Sequence, residues 1–180
     1  MPKRNLLLSS ISISTVILSL VLIYLITANS ASSAYAAAEQ QQYSMVGKWG
    51  SRGSGNGKFS QPLDIAIDRS GNVYVGDFGN AQNGIQKFTS NGTFITSWGS
   101  TGLGDGQFIN PGGIAVDSAG NVYVGDFAAN NRIQKFDSNG KFITKWSVNT
   151  PGGIAVGPSG NIYVVNQNSA SVEIYSPVSP

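Results

Sequence analysis

The sequence predicts an all-β fold of short four-stranded antiparallel sheets set in series, preceded by one N-terminal hydrophobic helix. Three observations lead there. The octapeptide Gly71-Asn72-Val73-Tyr74-Val75-Gly76-Asp77-Phe78 recurs letter for letter at residues 120–127, with a blurred third copy at Asn161-Ile162-Tyr163-Val164-Val165-Asn166. Pro62, Pro111 and Pro151 each open an apolar stretch and stand 49 and then 40 residues apart. Between the copies, β-branched and aromatic residues are separated by Gly-Asn and Asn-Gly pairs, which is hairpin chemistry rather than helix chemistry.

The first element is the helix. Lys3 and Arg4 precede an apolar run over residues 6–26 that carries no charge, and a small-residue stretch follows, ending at Ala34-Tyr35-Ala36. Such a run directs a chain to a membrane. Residues 1–36 therefore read as a signal peptide or a transmembrane anchor, and both stay open. Positive charge ahead of the run holds the N-terminus inside, so the remainder is expected to be extracellular, secreted or anchored in the cell membrane with the repeats outside. Residues 37–44 read as a polar tether.

Residues 45–180 are the repeat region. In each unit the strand after the proline (Ile65-Ala66-Ile67, Ile114-Ala115-Val116, Ile154-Ala155-Val156) is followed by a Gly-Asn turn and a Val-Tyr-Val or Ile-Tyr-Val strand. Ile85-Gln86-Lys87-Phe88, Ile133-Gln134-Lys135-Phe136 and Val172-Glu173-Ile174-Tyr175 supply a third strand. A fourth is read at Phe94-Ile95-Thr96-Ser97-Trp98 and Phe142-Ile143-Thr144-Lys145-Trp146. Four short strands per unit and repeats of this length make the blades of a β-propeller, at about 62–98, 111–146 and 151–176. The third unit has no fourth strand of this pattern, whereas Met45-Val46-Gly47-Lys48-Trp49 carries it ahead of the first. Residues 45–49 are thus read as a closing outer strand. Three blades fall short of the usual minimum of about four. The expectation is a partial propeller, or half of a six-bladed assembly in which a homodimer completes the ring.

The run Gln107-Phe108-Ile109-Asn110-Pro111-Gly112-Gly113-Ile114-Ala115-Val116-Asp117, then Gly120-Asn121-Val122-Tyr123-Val124-Gly125-Asp126, then Asn131-Arg132-Ile133-Gln134-Lys135-Phe136 resembles the NHL repeat. The first unit departs from it with Gly84 in the place of Arg132, and the third has Asn166 in the place of the aspartate. The resemblance implies a propeller used mostly as a binding platform, and in a minority of cases as an enzyme.

Composition narrows the chemistry. The chain has 180 residues, no cysteine and no histidine, which removes disulfides, thiolates, imidazole bases and the usual zinc ligands. Its net charge of +2 equals the contribution of Lys3 and Arg4, so the rest of the chain is neutral and nucleic acid is not an expected partner.

Alternating strand direction gathers Asp77, Phe78, Asp126, Phe127, Asn166 and Gln167 on one loop face. Their functional reading is a shared mouth whose oxygens hold a polar ligand or a calcium ion. Their structural reading is that each carboxylate accepts backbone N–H groups in its own loop. Asp64 stands where the other units have Gly113 and Gly153, with its carboxylate at the rim of a central channel. No catalytic residue, metal ligand or cofactor is assigned. Gly102-Leu103-Gly104-Asp105-Gly106 reads as flexible linkage, because it leads into a strand rather than a helix. The function expected is an exported scaffold binding a protein, glycan or small ligand through its loop face. The alternative is a calcium-dependent hydrolase or lyase of the lactonase type.

Overall fold

A computed structural model describes residues 13–39, 43–82, 84–127 and 129–177, and within the helix the side chains of residues 17–30. The chain divides into two compact units, Met1–Val46 and Gly47–Pro180. The first holds the helix α1 (Ile13–Glu39). It continues through Ala37, Ala38 and Glu39, good helix formers in the stretch read as a tether. Among the described residues no helix is long and apolar enough to cross a membrane. Lys3, Arg4 and residues 6–12, where the apolar run begins, lie outside the described residues.

The second unit is built from strands. Two-residue strands β1 (Ser51–Arg52) and β2 (Lys58–Phe59) pair in parallel. Sheet 1 then follows as β3 (Gln61–Ile67), β4 (Val73–Phe78), β5 (Ile85–Phe88) and β6 (Phe94–Trp98). Sheet 2 is β7 (Pro111–Val116), β8 (Val122–Asp126), β9 (Arg132–Phe136) and β10 (Phe142–Ser147). Sheet 3 is β11 (Pro151–Val156), β12 (Ile162–Asn166) and β13 (Ser171–Tyr175). Within each sheet consecutive strands pair antiparallel, as the hairpin turns require.

The same local rules operate in every sheet. The ladder between first and second strands shifts register just after each proline, between Pro62 and Asp64, Pro111 and Ile114, and Pro151 and Ile154. A residue without an N–H belongs at such an irregularity or at a strand's first position. Gly71, Gly120 and Gly160 turn the first hairpin at φ between 81° and 86°. Beside that turn Asp68 accepts hydrogen bonds from the backbone N–H groups of Ser70 and Asn72, the Asn72 side chain and the Tyr74 hydroxyl. Asp117 repeats the arrangement with Ala119, Asn121 and Tyr123. Burial raises the pKa of each carboxyl, but the Asn72 and Asn121 hydrogen bonds, with the tyrosine and backbone donors, outweigh it and hold both below the ordinary 3.8.

The sheets pack face to face. Tyr74, Ile85, Phe108, Ile114, Val122, Val124 and Phe136 form one buried cluster between sheets 1 and 2. Tyr123, Ile133, Val148, Ile162 and Val164 form the next between sheets 2 and 3. The tryptophans of β6 and β10 tie their outer strands to the following sheets: Trp98 lies tilted against Phe136 with ring centroids 5.9 Å apart, and Trp146 against Tyr175 at 5.6 Å. Such aromatic pairs add about 0.5–1.5 kcal/mol beyond their buried area. A Cβ on Gly140 would lie 2.5 Å from the Trp98 indole, so the turn glycine there is required by its neighbour as well as by its φ of 86°.

Within this chain residues 43–50 carry no strand, so residues 45–49 pair neither with β13, the third strand of sheet 3, nor with sheet 1, whose outer position β6 fills. Trp49 nevertheless packs as its counterparts do, 6.3 Å from Phe88 and against the turn at Gly92.

Candidate functional site

The loop face is organised by the two segments that lead into the first strands, residues 50–61 and 99–110. Asp77 is fully buried at the end of β4 and accepts the N–H groups of Ser60 at 2.9 Å and Gln61 at 2.7 Å, with the Asn80 side chain at 2.9 Å. Asp126, also fully buried, accepts the N–H groups of Ile109 at 3.0 Å and Asn110 at 2.9 Å, and the Asn130 side chain. Asn166 accepts from the N–H groups of Asn168 and Ser169 and donates to Glu173. Asp77 and Asp126 thus hold the segments that lead into β3 and β7, and Asn166 holds its own loop.

Gln86 and Gln134, unexposed at the centre of β5 and β9, do the same work from the next strand. Gln86 accepts from the Gly57 N–H and donates to the Lys58 carbonyl; Gln134 accepts from the Gly106 N–H and donates to the Gln107 carbonyl. A recurring glutamine inside an otherwise apolar strand was the available signal for these clasps, since a buried amide must find partners. Arg132 stands 3.5 Å from Asp126 and donates to the carbonyls of Leu103, Gly104 and Gln107. The segment read as flexible linkage, residues 102–106, is therefore pinned along its length.

The remaining candidates do converge. Phe78 and Phe127 stack with ring centroids 6.1 Å apart and planes 12° from parallel. Beside them lies a hollow of about 420 Å³, lined by Leu63, Asp64, Phe127, Gln167 and the glycines of β7 and β11. Asp64 accepts the N–H of Ile114 from the neighbouring sheet through one oxygen and that of its own neighbour Ile65 through the other. The glycines form a floor without side chains: a Cβ on Gly112 would meet Phe127 at 3.0 Å, and one on Gly113 would meet the Gly152 carbonyl oxygen at 2.2 Å. Leu63, Gly112 and Gly152 were not among the candidates, because lining a shared hollow depends on how three sheets stack rather than on a recurring letter. Among the described residues no three His, Cys, Asp or Glu side chains are grouped as a metal ion's ligands would be.

No curated protein sequence matches the chain. Solved structures do. A protein of Bacteroides thetaiotaomicron aligns with a TM-score of 0.60 at 18% identity, over 76% of this chain and 40% of its own. A protein of Bacteroides fragilis aligns at 0.51 and 16% identity, over 63% of this chain and 31% of its own, and one of Bacteroides caccae at 0.50 and 20%, over 64% and 42%. The chain thus spans less than half the length of each, and at these identities the likeness concerns the fold. The NHL repeat itself matches residues 59–82 and 108–136, the stretches that carry β4 and the β7–β9 hairpins. With the face-to-face sheets and this match together, the chain carries NHL repeats over those two stretches.

Proposed function

We propose that this chain is a non-enzymatic scaffold, secreted or held in the cell membrane with its repeats outside, that binds a protein, glycan or small ligand at the hollow on its loop face. The observation that carries the reading is the division of labour among its polar groups. The buried Asp77 and Asp126 are taken up by the segments that lead into β3 and β7, while the half-buried Phe127, Asp64 and exposed Gln167 are gathered around open space. An apolar ring face beside a single carboxylate and an amide suits a ligand with one flat apolar surface and hydrogen-bonding groups at its edge, such as a sugar ring or a peptide side chain. Asp64 is the one titratable side chain lining the hollow among the described residues, so no acid and base are paired there. Export is supported by Lys3 and Arg4 ahead of the apolar run.

The test is a binding screen of the full chain against glycan and peptide arrays, repeated with Phe127→Ala and Asp64→Asn. Binding by the parent chain, lost in Phe127→Ala while its melting transition persists, supports the reading. Retention of every bound ligand by both variants, or turnover of a bound lactone, overturns it.

A further inference from the structure

The two ends of the series of sheets are uncovered, and they match. On the far face of sheet 3, Tyr163, Val165, Val172 and Ile174 are 36–63% exposed, although the equivalent Tyr74, Ile85 and Ile133 of the other sheets are fully buried. On the near face of sheet 1, Ile65 is 56% exposed where its equivalent Ile114 is 3%. The edge of β13 is also open, since sheet 3 has three strands among the described residues. Beside that edge runs a groove of about 590 Å³, bounded by Thr144 and Trp146 of β10 and by Tyr175 and Pro177. This is the space that an outer strand of sheet 3 would occupy, as β10 occupies it in sheet 2.

We propose that two copies of this chain associate head to tail, residues 45–49 of each adding to the open β13 edge of the other as the fourth strand of sheet 3. The register follows from the sheets that are complete. Ile85 pairs with Trp98 and Gln86 with Ser97; Ile133 pairs with Trp146 and Gln134 with Lys145. Transferred to sheet 3, Trp49 of one protomer faces Val172 of its partner, Lys48 faces Glu173 and Gly47 faces Ile174.

Charge supports this register independently. In sheet 2, Lys145 of the outer strand binds the carboxylate of Asp105, which the long leading loop brings to that face. Sheet 3 has only residues 147–150 as its leading segment and no such aspartate, and there the buried glutamine of the third strand is replaced by Glu173. The carboxylate that a lysine at this position meets is thus supplied by the strand itself. Residues 45–49 cannot serve their own β13, because Trp49 is packed on sheet 1 against Phe88 and the Gly92 turn, while the end faces of sheets 1 and 3 both stay uncovered. The same placement of Trp49 is what a partner requires: Trp98 of an outer strand sits on the Gly140 turn of the next sheet in the same way. Two such junctions related by a two-fold axis close the assembly and leave no free edge.

The chain contains no cysteine, which makes cross-linking a clean test. Full-length chain in detergent is expected to have the mass of two copies by light scattering with the detergent contribution subtracted. Lys48→Glu, which places like charges at both junctions, is expected to weaken dimerisation by about tenfold, and Lys48→Glu combined with Glu173→Lys to restore it. A 1:1 mixture of Lys48→Cys and Glu173→Cys chains is expected to give an intermolecular disulfide on oxidation, absent when Ser51→Cys replaces Lys48→Cys. A monomer with no cross-link, a particle growing beyond two copies, or equal cross-linking at residue 51 overturns the proposal. Ligand binding by a monomer would sink this inference and leave the scaffold reading standing; a dimer that binds nothing would do the reverse.

Discussion

Gly120 and Gly140 turn the first and last of the three hairpins of sheet 2 with the same φ of 86°, and they differ in what surrounds them. Alanine at either position meets the left-handed backbone penalty of about 1–2 kcal/mol. At Gly120 the added Cβ would find Ser138 at 3.7 Å, an ordinary contact. At Gly140 it would stand 2.5 Å and 2.7 Å from atoms of the Trp98 indole, which must move off the turn. Overpacking of that kind costs about 1–3 kcal/mol. Gly120→Ala is therefore expected to destabilise by about 1–2 kcal/mol, and Gly140→Ala by about 2–5 kcal/mol. Because the backbone terms cancel, the difference between the variants reads the seating of sheet 1's tryptophan on sheet 2. Equilibrium urea unfolding, with midpoints compared at constant slope, measures it. Sheet 1 repeats the comparison: Gly71 at φ 81° has only Ser90 nearby, whereas Gly92 at φ 84° would strike Trp49 at 2.6 Å. Equal destabilisation within each pair, to about 0.5 kcal/mol, would refute the packing of tryptophans on turns.

Three further outcomes are expected. Asp126→Ala removes the acceptor of two backbone N–H groups and the Asn130 amide from a fully buried site and is expected to cost about 3–5 kcal/mol, with chemical unfolding as the readout. Burial first, and then the hydrogen bond to and charge of Asp117, push the Tyr123 hydroxyl well above its ordinary 10.0, and Asp68 does the same to Tyr74. A raised folded-state value gives stability that is full below pH 10 and lost as pH climbs through the folded value. Alkaline unfolding should therefore be less steep in Tyr74→Phe with Tyr123→Phe than in the parent. The lowered Asp68 and Asp117 have the opposite sign, with stability full above pH 3.8 and lost as pH falls through the folded values, so a melt at pH 2 to 3 should show Asp117→Asn losing less on acidification than the parent.

Much of the repeat was legible because each recurring letter answers a local demand. Proline marks the start of β7 and β11, glycine takes the positive φ of each turn, and Tyr74 and Tyr123 fill the space between sheets, as their place in a β-branched strand implied. The limit appears at residues 45–49. Their letters match an outer strand, yet pairing depends on an edge, and the edge of this pattern that stands open belongs to β13 at the other end of the series. The loop face divides the same way. That Asp77 and Asp126 were acidic residues at strand ends was visible, and so was their capacity to accept backbone N–H groups; that the donors belong to segments sixteen or seventeen residues earlier, rather than to their own loops, was not. Gln86 and Gln134 looked like the polar side of an alternating strand. Only the position of the leading loops reveals them as buried clasps.

The central claim is that the repeated segments are sheets stacked face to face, with their recurring letters spent on architecture. Ring-to-ring nuclear Overhauser contacts in the full chain test this most directly. Cross-peaks between Trp98 and Phe136, whose centroids lie 5.9 Å apart across sheets 1 and 2, and between Trp146 and Tyr175, 5.6 Å apart across sheets 2 and 3, are the expected result. Intact contacts within each hairpin with neither pair of cross-sheet peaks would contradict it.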